Sequence, residues 1–267
     1  MKLLGKLGCF LFLLIIIAVV LALGYFGLIP GLSSILGSDK SRNLGITYTE
    51  EDRISGRSKS RIEYLEITDS VPPEKSWQLE GSRPVDAQFT SAEITSIMNN
   101  KVGIYFPYKN VQVKFNADGS GEISGSLIKN RIPTYGATFG APKVAVDFVM
   151  KFLPDNPVFY LKGKATLVNN RVGVFEPQRF EIGRVPMPLD MILAFAPPVL
   201  VRPAYALDLG AMTQELSKVG NKKALIIDFI NTRLESYIPG FYAEDARMEE
   251  NKLIFKGTLP EREKTVR

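Results

Sequence analysis

Val111-Gln112-Val113-Lys114-Phe115-Asn116-Ala117-Asp118-Gly119-Ser120-Gly121-Glu122-Ile123-Ser124-Gly125-Ser126-Leu127 is the stretch that decides how this chain folds. Val111, Val113 and Phe115 alternate with polar residues, the period of two that turns one face of a strand towards a core. Asn116 to Gly119 supplies the turn, and Ile123, Gly125 and Leu127 resume the alternation on the way back. The stretch predicts an antiparallel hairpin with one apolar face.

Two further hairpins carry the same pattern. From Val158 to Pro177, Phe159, Leu161, Gly163, Ala165 and Leu167 alternate, Asn169-Asn170 turns, and Val172 and Val174 return. Near the C-terminus Arg247 leads in, Glu250-Asn251 turns, and Leu253, Phe255, Gly257 and Leu259 alternate. Each hairpin holds a strand reading apolar-x-Gly-x-apolar, with Gly125, Gly163 and Gly257 at the inward parity. Glycine inside a strand marks a bend or the close approach of another backbone. Three of them predict a strongly curved antiparallel sheet with helices on its concave side.

The helices are read from caps and period. Phe89-Thr90-Ser91-Ala92-Glu93-Ile94 is a capping box with its hydrophobic staple, and Ile94, Ile97 and Met98 form the apolar face behind it. Val144 to Leu153 is helical up to Pro154. Ala224 to Tyr237 places Ile226, Phe229, Ile230, Leu234 and Tyr237 on one face and stops at Pro239-Gly240. Thr49-x-x-Asp52 opens a short helix, and Val71-Pro72-Pro73 is a break.

The N-terminus gives an address. Leu7 to Leu28, LGCFLFLLIIIAVVLALGYFGL, carries no charge and follows Lys2 and Lys6. About 20 apolar residues cross a bilayer core. A retained anchor is expected over a cleaved signal peptide, whose apolar core is about 7–15 residues. Lys40 and Arg42 beyond the span weaken the charge signal for orientation. Long domains translocate regardless of it, so the bulk of the chain is expected outside the cytoplasm at the cell membrane. Residues 1–29 are read as a transmembrane anchor, 30–45 as a linker, 46–84 as a partly ordered juxtamembrane segment and 85–267 as an extracytoplasmic α+β domain.

Composition narrows the chemistry. The 267 residues hold no histidine and one cysteine, Cys9. That excludes a Ser-His-Asp triad, a Cys-His dyad, histidine-ligated metals and, in the bulk of the chain, disulfides and thiolate metal sites. No phosphate loop of common spacing occurs. Asp147, Asp228 and Glu235 are read as the solvent side of amphipathic helices, with no catalytic role. The expectation is a protein that is not an enzyme, without cofactor or metal site. A net charge of +5 is mild, and no nucleic-acid recognition motif accompanies it.

Several of these segments together resemble a family. They are the helix entry at 89–94, the Asp118-Gly119 turn with Glu122-Ile123-Ser124-Gly125, Glu181-Ile182-Gly183-Arg184-Val185-Pro186-Met187-Pro188, and Lys252-Leu253-Ile254-Phe255-Lys256-Gly257-Thr258-Leu259-Pro260. Over about residues 85–262 the chain resembles the bacterial membrane-anchored YpmS-like and LmeA-like proteins, whose outer domain is related to the tubular lipid-binding folds. The resemblance implies a curved sheet around a long helix with an apolar groove for an acyl chain. It supplies no catalytic residue.

The expected function is therefore a single-span envelope protein that binds a membrane lipid or similar amphiphile. The groove would be lined by Ile94, Ile97 and Met98 on one helix and by Ile226, Phe229 and Ile230 on the other. Val185 to Leu207 is almost uncharged and holds five prolines. It is read as an apolar lip whose Met187, Met191, Ile192 and Phe195 contact acyl chains, methionine adapting well to flexible partners. Arg53, Arg57, Lys59 and Arg61 are candidates to hold anionic headgroups. The competing expectation is a scaffolding module with a closed core that recruits another envelope protein.

Overall fold

The computed structural model describes residues 2–26, 29–101, 103–138, 143–153, 157–186, 222–236 and 238–267. In chain order it forms α1 (Lys2–Tyr25), α2 (Pro30–Ile35), α3 (Glu50–Ser60), β1 (Glu63–Glu66), β2 (Trp77–Glu80), β3 (Arg83–Thr90) and α4 (Ser91–Asn99). Next come β4 (Tyr108–Phe115), β5 (Ser120–Leu127), α5 (Ile132–Thr138), α6 (Lys143–Phe152), β6 (Val158–Val168), β7 (Arg171–Ile182) and β8 (Val185–Pro186). The last described elements are α7 (Lys222–Ser236), β9 (Tyr242–Glu249), β10 (Lys252–Leu259) and β11 (Arg262–Thr265).

The main sheet has the order β3-β10-β9-β6-β5-β4, with β7 on the remaining edge of β6 and β8 beyond it. Its pairings are antiparallel, and it contains the three expected hairpins. Asn169, Asn170 and Asn251 turn with φ of 50°, 59° and 58°, the left-handed geometry that tight hairpins require. The first half of β6 pairs with β5, and its end, at Leu167 and Val168, pairs with β9. Two arms of the sheet thus meet along one edge of β6, and the sheet curls into a half-barrel.

The inward glycines sit at the bends. The ladder slips between Lys256 and Gly257 and between Lys162 and Gly163. A Cβ at Gly163 would stand 2.8 Å from the Glu176 carbonyl oxygen, and one at Gly125 would meet the Phe159 ring at 2.8 Å. The missing side chains let neighbouring groups close in, as the sequence pattern predicts.

The core fills one end of this curl. Val85, Phe89, Ala243, Ala246 and Phe255 form one buried cluster, and Val111, Val113 and Phe115 another. Ile94 and Leu253 pack against both. A smaller sheet, β1-β11-β2, is mixed: β1 runs parallel to β11, and β2 antiparallel to it. It ties residues 63–80 to the C-terminus. Lys101 bonds the buried Glu263 of β11 at 2.7 Å beside the Tyr64 ring.

Helix α4 follows β3 directly and lies along the free edge of β4, so it joins the two ends of the strand order. Both bonds of the Thr90–Glu93 capping box form. The stripe Ser91, Thr95, Asn99 faces the β4 backbone. The Val111 N–H donates to Asn99 Oδ1 (2.9 Å), and Asn99 Nδ2 donates to the Val111 carbonyl (2.7 Å). The Val113 N–H donates to Thr95 Oγ1 (2.9 Å), which donates on to the Val113 carbonyl (3.3 Å). The Phe115 N–H donates to Ser91 Oγ, and its carbonyl accepts from the Asn251 N–H, both at 3.0 Å. Four helical residues rise about 6 Å and two strand residues about 6.7 Å, so positions i, i+4 and i+8 keep step with alternate strand residues. An edge that would otherwise invite pairing with another chain is satisfied from within.

Helix α3 opens at the Thr49–Asp52 capping box and packs on α4. The close approach falls at Gly56, where a Cβ would stand 2.8 Å from Ile97 Cδ1. Glu93, 4% exposed, accepts from Lys59 Nζ (2.6 and 2.8 Å), Ser55 Oγ (2.5 Å) and the Thr90 N–H (2.8 Å). Burial raises its pKa, but these donors outweigh burial and hold it below the ordinary 4.5. A depressed carboxyl stabilises the fold above the unfolded pKa and loses that contribution as pH falls through the folded one. Thermal unfolding at neutral pH and below pH 4.5 should therefore show a smaller acid loss in Glu93→Gln than in the wild type. An equal loss in both would remove Glu93 as the cause.

Helix α1 is helical along its backbone, with side chains described from Leu14 on. Leu14, Ile15, Ile16, Ile17, Val19, Val20, Leu21 and Leu23 are exposed, so successive positions on every side of the helix are uncovered. Among the described residues no helix is long and apolar enough to cross a membrane. The spanning segment expected at 7–28 is therefore not found among them.

Candidate functional site

The inner face of the curl changes character along its length. At the β3, β10 and β4 end, Val85, Phe89, Phe255 and Val111 are at most 5% exposed. At the β6–β7 end the same face is only half covered. The register places Ile123, Leu161 and Phe180 side by side across β5, β6 and β7, with Ala165 beside Phe175 and Leu167 beside Val172. Leu161 is 42% exposed, Ala165 is exposed, and Phe175, Phe180 and Val172 are half-buried. Gly163 lies between Leu161 and Ala165 on this face, so the wall there has no bulk of its own. The result is an apolar concave strip that continues the core but is not sealed by it.

Helix α7 lies against β7 at one end of this strip. Asn231, 8% exposed, accepts from the Val172 N–H at 2.8 Å. Ile227, Ile230 and Leu234 on α7 are half-buried.

The opposite face of the same strands is charged. Glu181, 1% exposed, accepts from Arg42 Nε and Nη2 (2.7–3.0 Å) and from Arg179 Nε (2.5 Å). The Arg42 guanidinium lies 4.7 Å from the Tyr160 ring centroid. The Tyr160 hydroxyl donates to Glu122 (2.6 Å); burial, then that carboxylate, push its pKa up to about 12. The Arg42 N–H donates to Ser124 Oγ and the Leu44 N–H to Gln112 Oε1, both at 2.7 Å. Residues 41–45, part of the segment read as a linker, are thereby strapped to the outside of β4 and β5.

The candidate lining residues fall in several places. Ile94 and Met98 meet in the cluster around Val111, Val113 and Phe115, while Ile97 turns to α3 at Gly56. Ile230 is on α7, beside Asn231. The side chains of Ile226 and Phe229 lie outside the described residues, as do Met187, Met191, Ile192 and Phe195.

The four basic candidates do not form one open patch. Arg53 pairs with Glu50. Arg57 donates to the Asn100 carbonyl (3.2 Å) and stands 4.5 Å from the Tyr64 ring centroid. Lys59 bonds Glu93, and Arg61 is the left-handed cap of α3, its carbonyl accepting from Arg83. Asp147 pairs with Lys143 at 2.6 Å, and Asp228 is exposed. Among the described residues no group of three or more His, Cys, Asp or Glu could hold a metal ion.

Fold and face together define an α+β domain with a curled antiparallel sheet, a polar outer surface and a half-open apolar inner wall. Comparison of the chain with family models, with curated proteins and with solved structures returned no match.

Proposed function

We propose that this domain binds a lipid or similar amphiphile, with an acyl chain lying along the inner face of β6 and β7, and that its apolar N-terminal helix tethers it to the extracytoplasmic side of the cell membrane. The observation that carries the reading is the half-covered apolar strip of Leu161, Ala165, Phe175 and Phe180 inside a sheet whose other end is closely packed. Contiguous apolar surface of this kind is uncommon without an occupant. Each buried methylene of an acyl chain would contribute about 0.8 kcal/mol. The strip runs directly on from the core, so an acyl chain would extend the apolar interior.

The test is lipid retention. The full chain, purified and exchanged into a detergent distinct from any cell lipid, should carry a stoichiometric lipid by native mass spectrometry. Leu161→Asp combined with Phe175→Asp should reduce that lipid by roughly tenfold or more, the effect of losing at least ~1.4 kcal/mol. A variant with unchanged circular dichroism and unchanged lipid content would eliminate this reading and favour a closed scaffolding module. Carbonate extraction of membranes checks the tether, since an anchored chain stays in the pellet.

A further inference from the structure

A recess lies on the polar side of the domain, where the segment following α2 meets β4 and β5. It measures about 400 Å³ and is open on one side, within the usual range of small-molecule sites. Asp39, Lys40 and Ser41 form one wall, and Lys109, Asn110 and Ser126 the other.

The walls are fixed in place. The Lys40 N–H donates to the Gly37 carbonyl, and the Lys40 carbonyl accepts from Arg184 at 2.9 Å. Two residues on, the Arg42 N–H is held by Ser124. On the far side, the β4–β5 ladder is interrupted between Lys109 and Gln112, and Asn110 takes a φ of 52°. That irregularity opens the strand pair beside the recess.

Several lysines of this molecule are paired. Lys59, Lys101, Lys162, Lys256 and Lys264 each meet a carboxylate. Among the described residues neither the Lys40 nor the Lys109 ammonium has such a partner. The Asp39 Oδ1 is buried and accepts no hydrogen bond from any described group. A buried carboxylate oxygen without a donor is costly. The recess therefore offers two free cations and two hydroxyls to an anion, beside a half-buried carboxylate one of whose oxygens lacks a donor.

Its neighbours place it at an interface. Ile35 is 82% exposed and Leu36 41%, four and three residues before Asp39. Tyr25, at the end of the apolar helix, is 52% exposed. An aromatic residue closing an apolar helix is the pattern of the membrane–water boundary.

We infer that this recess receives a phosphoethanolamine-type lipid headgroup at the point where the N-terminal helix enters the bilayer. The phosphate lies between Lys40 and Lys109, within reach of the Ser41 and Ser126 hydroxyls, and the ammonium turns to the Asp39 carboxylate. The inference rests on the tether reading above but not on the apolar groove, which opens on the other face of the sheet.

The experiment uses the full chain in maltoside micelles, titrated with sn-glycero-3-phosphoethanolamine and, separately, with inorganic phosphate, and followed by phosphorus NMR. Saturable binding of the glycerophosphodiester should weaken roughly tenfold in Lys109→Ala and in Asp39→Asn. Both variants should keep the wild-type melting profile, since Lys109 is exposed and its ammonium unpaired. No binding, or binding that phosphate matches and Asp39→Asn leaves unchanged, overturns the proposal. Nanodiscs containing phosphatidylethanolamine should compete with the soluble probe where phosphatidylcholine nanodiscs do not. Equal competition by both, or by neither, overturns the lipid source. Leu161→Asp with Phe175→Asp should leave this binding intact, so failure here and failure of the groove reading are separate results.

Discussion

Thr95→Val is expected to destabilise the domain by about 3 kcal/mol, lowering its melting temperature by roughly 10 °C. The side chains are nearly the same size, so packing is conserved. What disappears is a hydroxyl with no exposed surface that both accepts from and donates to the Val113 backbone. The Val113 N–H and C=O would then be left without partners at a site that water does not reach. Thr95→Ser keeps the hydroxyl and should cost about 1 kcal/mol, the contribution of a methyl group. Denaturant unfolding of the two variants separates the readings. A Thr95→Val loss no larger than that of Thr95→Ser would show that the hydroxyl does not hold the edge of β4. Thr95→Val should also raise self-association, because a strand edge with unpaired groups is a template for a second chain.

Gly257→Ala should be of similar size, about 3 kcal/mol or more. Gly257 has a φ of 154° and sits where β10 slips against β9. A Cβ there would overlap the Tyr242 carbonyl oxygen and press on the Ala243 backbone. Both belong to the strand, not to a flexible side-chain tip, so the overlap can be relieved only by undoing the slip and flattening the curl. Gly173→Ala in β7 is the control. Its Cβ would meet Thr166 Oγ1 at 3.0 Å and Val168 Cγ2 at 3.5 Å, side-chain atoms that can adjust. A Gly257→Ala protein as stable as Gly173→Ala would mean that the sheet does not depend on the bend.

The parts of this fold that could be read in advance are those whose cause is local. The hairpins at 111–127, 158–177 and 247–259 were legible because alternation and turn residues are properties of adjacent positions. The capping box at Thr90 and Glu93 was legible for the same reason, and both of its bonds form. Strands β1, β2, β3 and β11 were not. Three of them are four-residue segments such as Glu63-Tyr64-Leu65-Glu66, too short for a period to register. Two of those, β1 and β11, pair across nearly the whole length of the domain.

The polar stripe of α4 marks the same boundary. Ser91, Thr95 and Asn99 stand at i, i+4 and i+8, and Val111, Val113 and Phe115 alternate within the next strand. Both patterns are visible in the sequence. Read alone, however, the stripe looks like the solvent face of an amphipathic helix. Only the folded chain, which lays it along a strand edge of matching repeat, turns it inward. Likewise Arg42, in a Gly- and Ser-rich segment, gave no sign of its bond to Glu181, because the two are separated by 139 positions.

The inner wall is divided in the same way. Composition removed histidine chemistry, and period placed Leu161, Gly163 and Ala165 on one face of a strand; both follow from the sequence by itself. That this face is half open at the β6–β7 end and closed at the β3–β10 end was decided by the tertiary structure alone. Parity assigns a side chain to one side of a sheet. Whether anything covers that side depends on how far the sheet curls and which distant elements reach it, and those are sums over contacts that no short stretch of sequence contains.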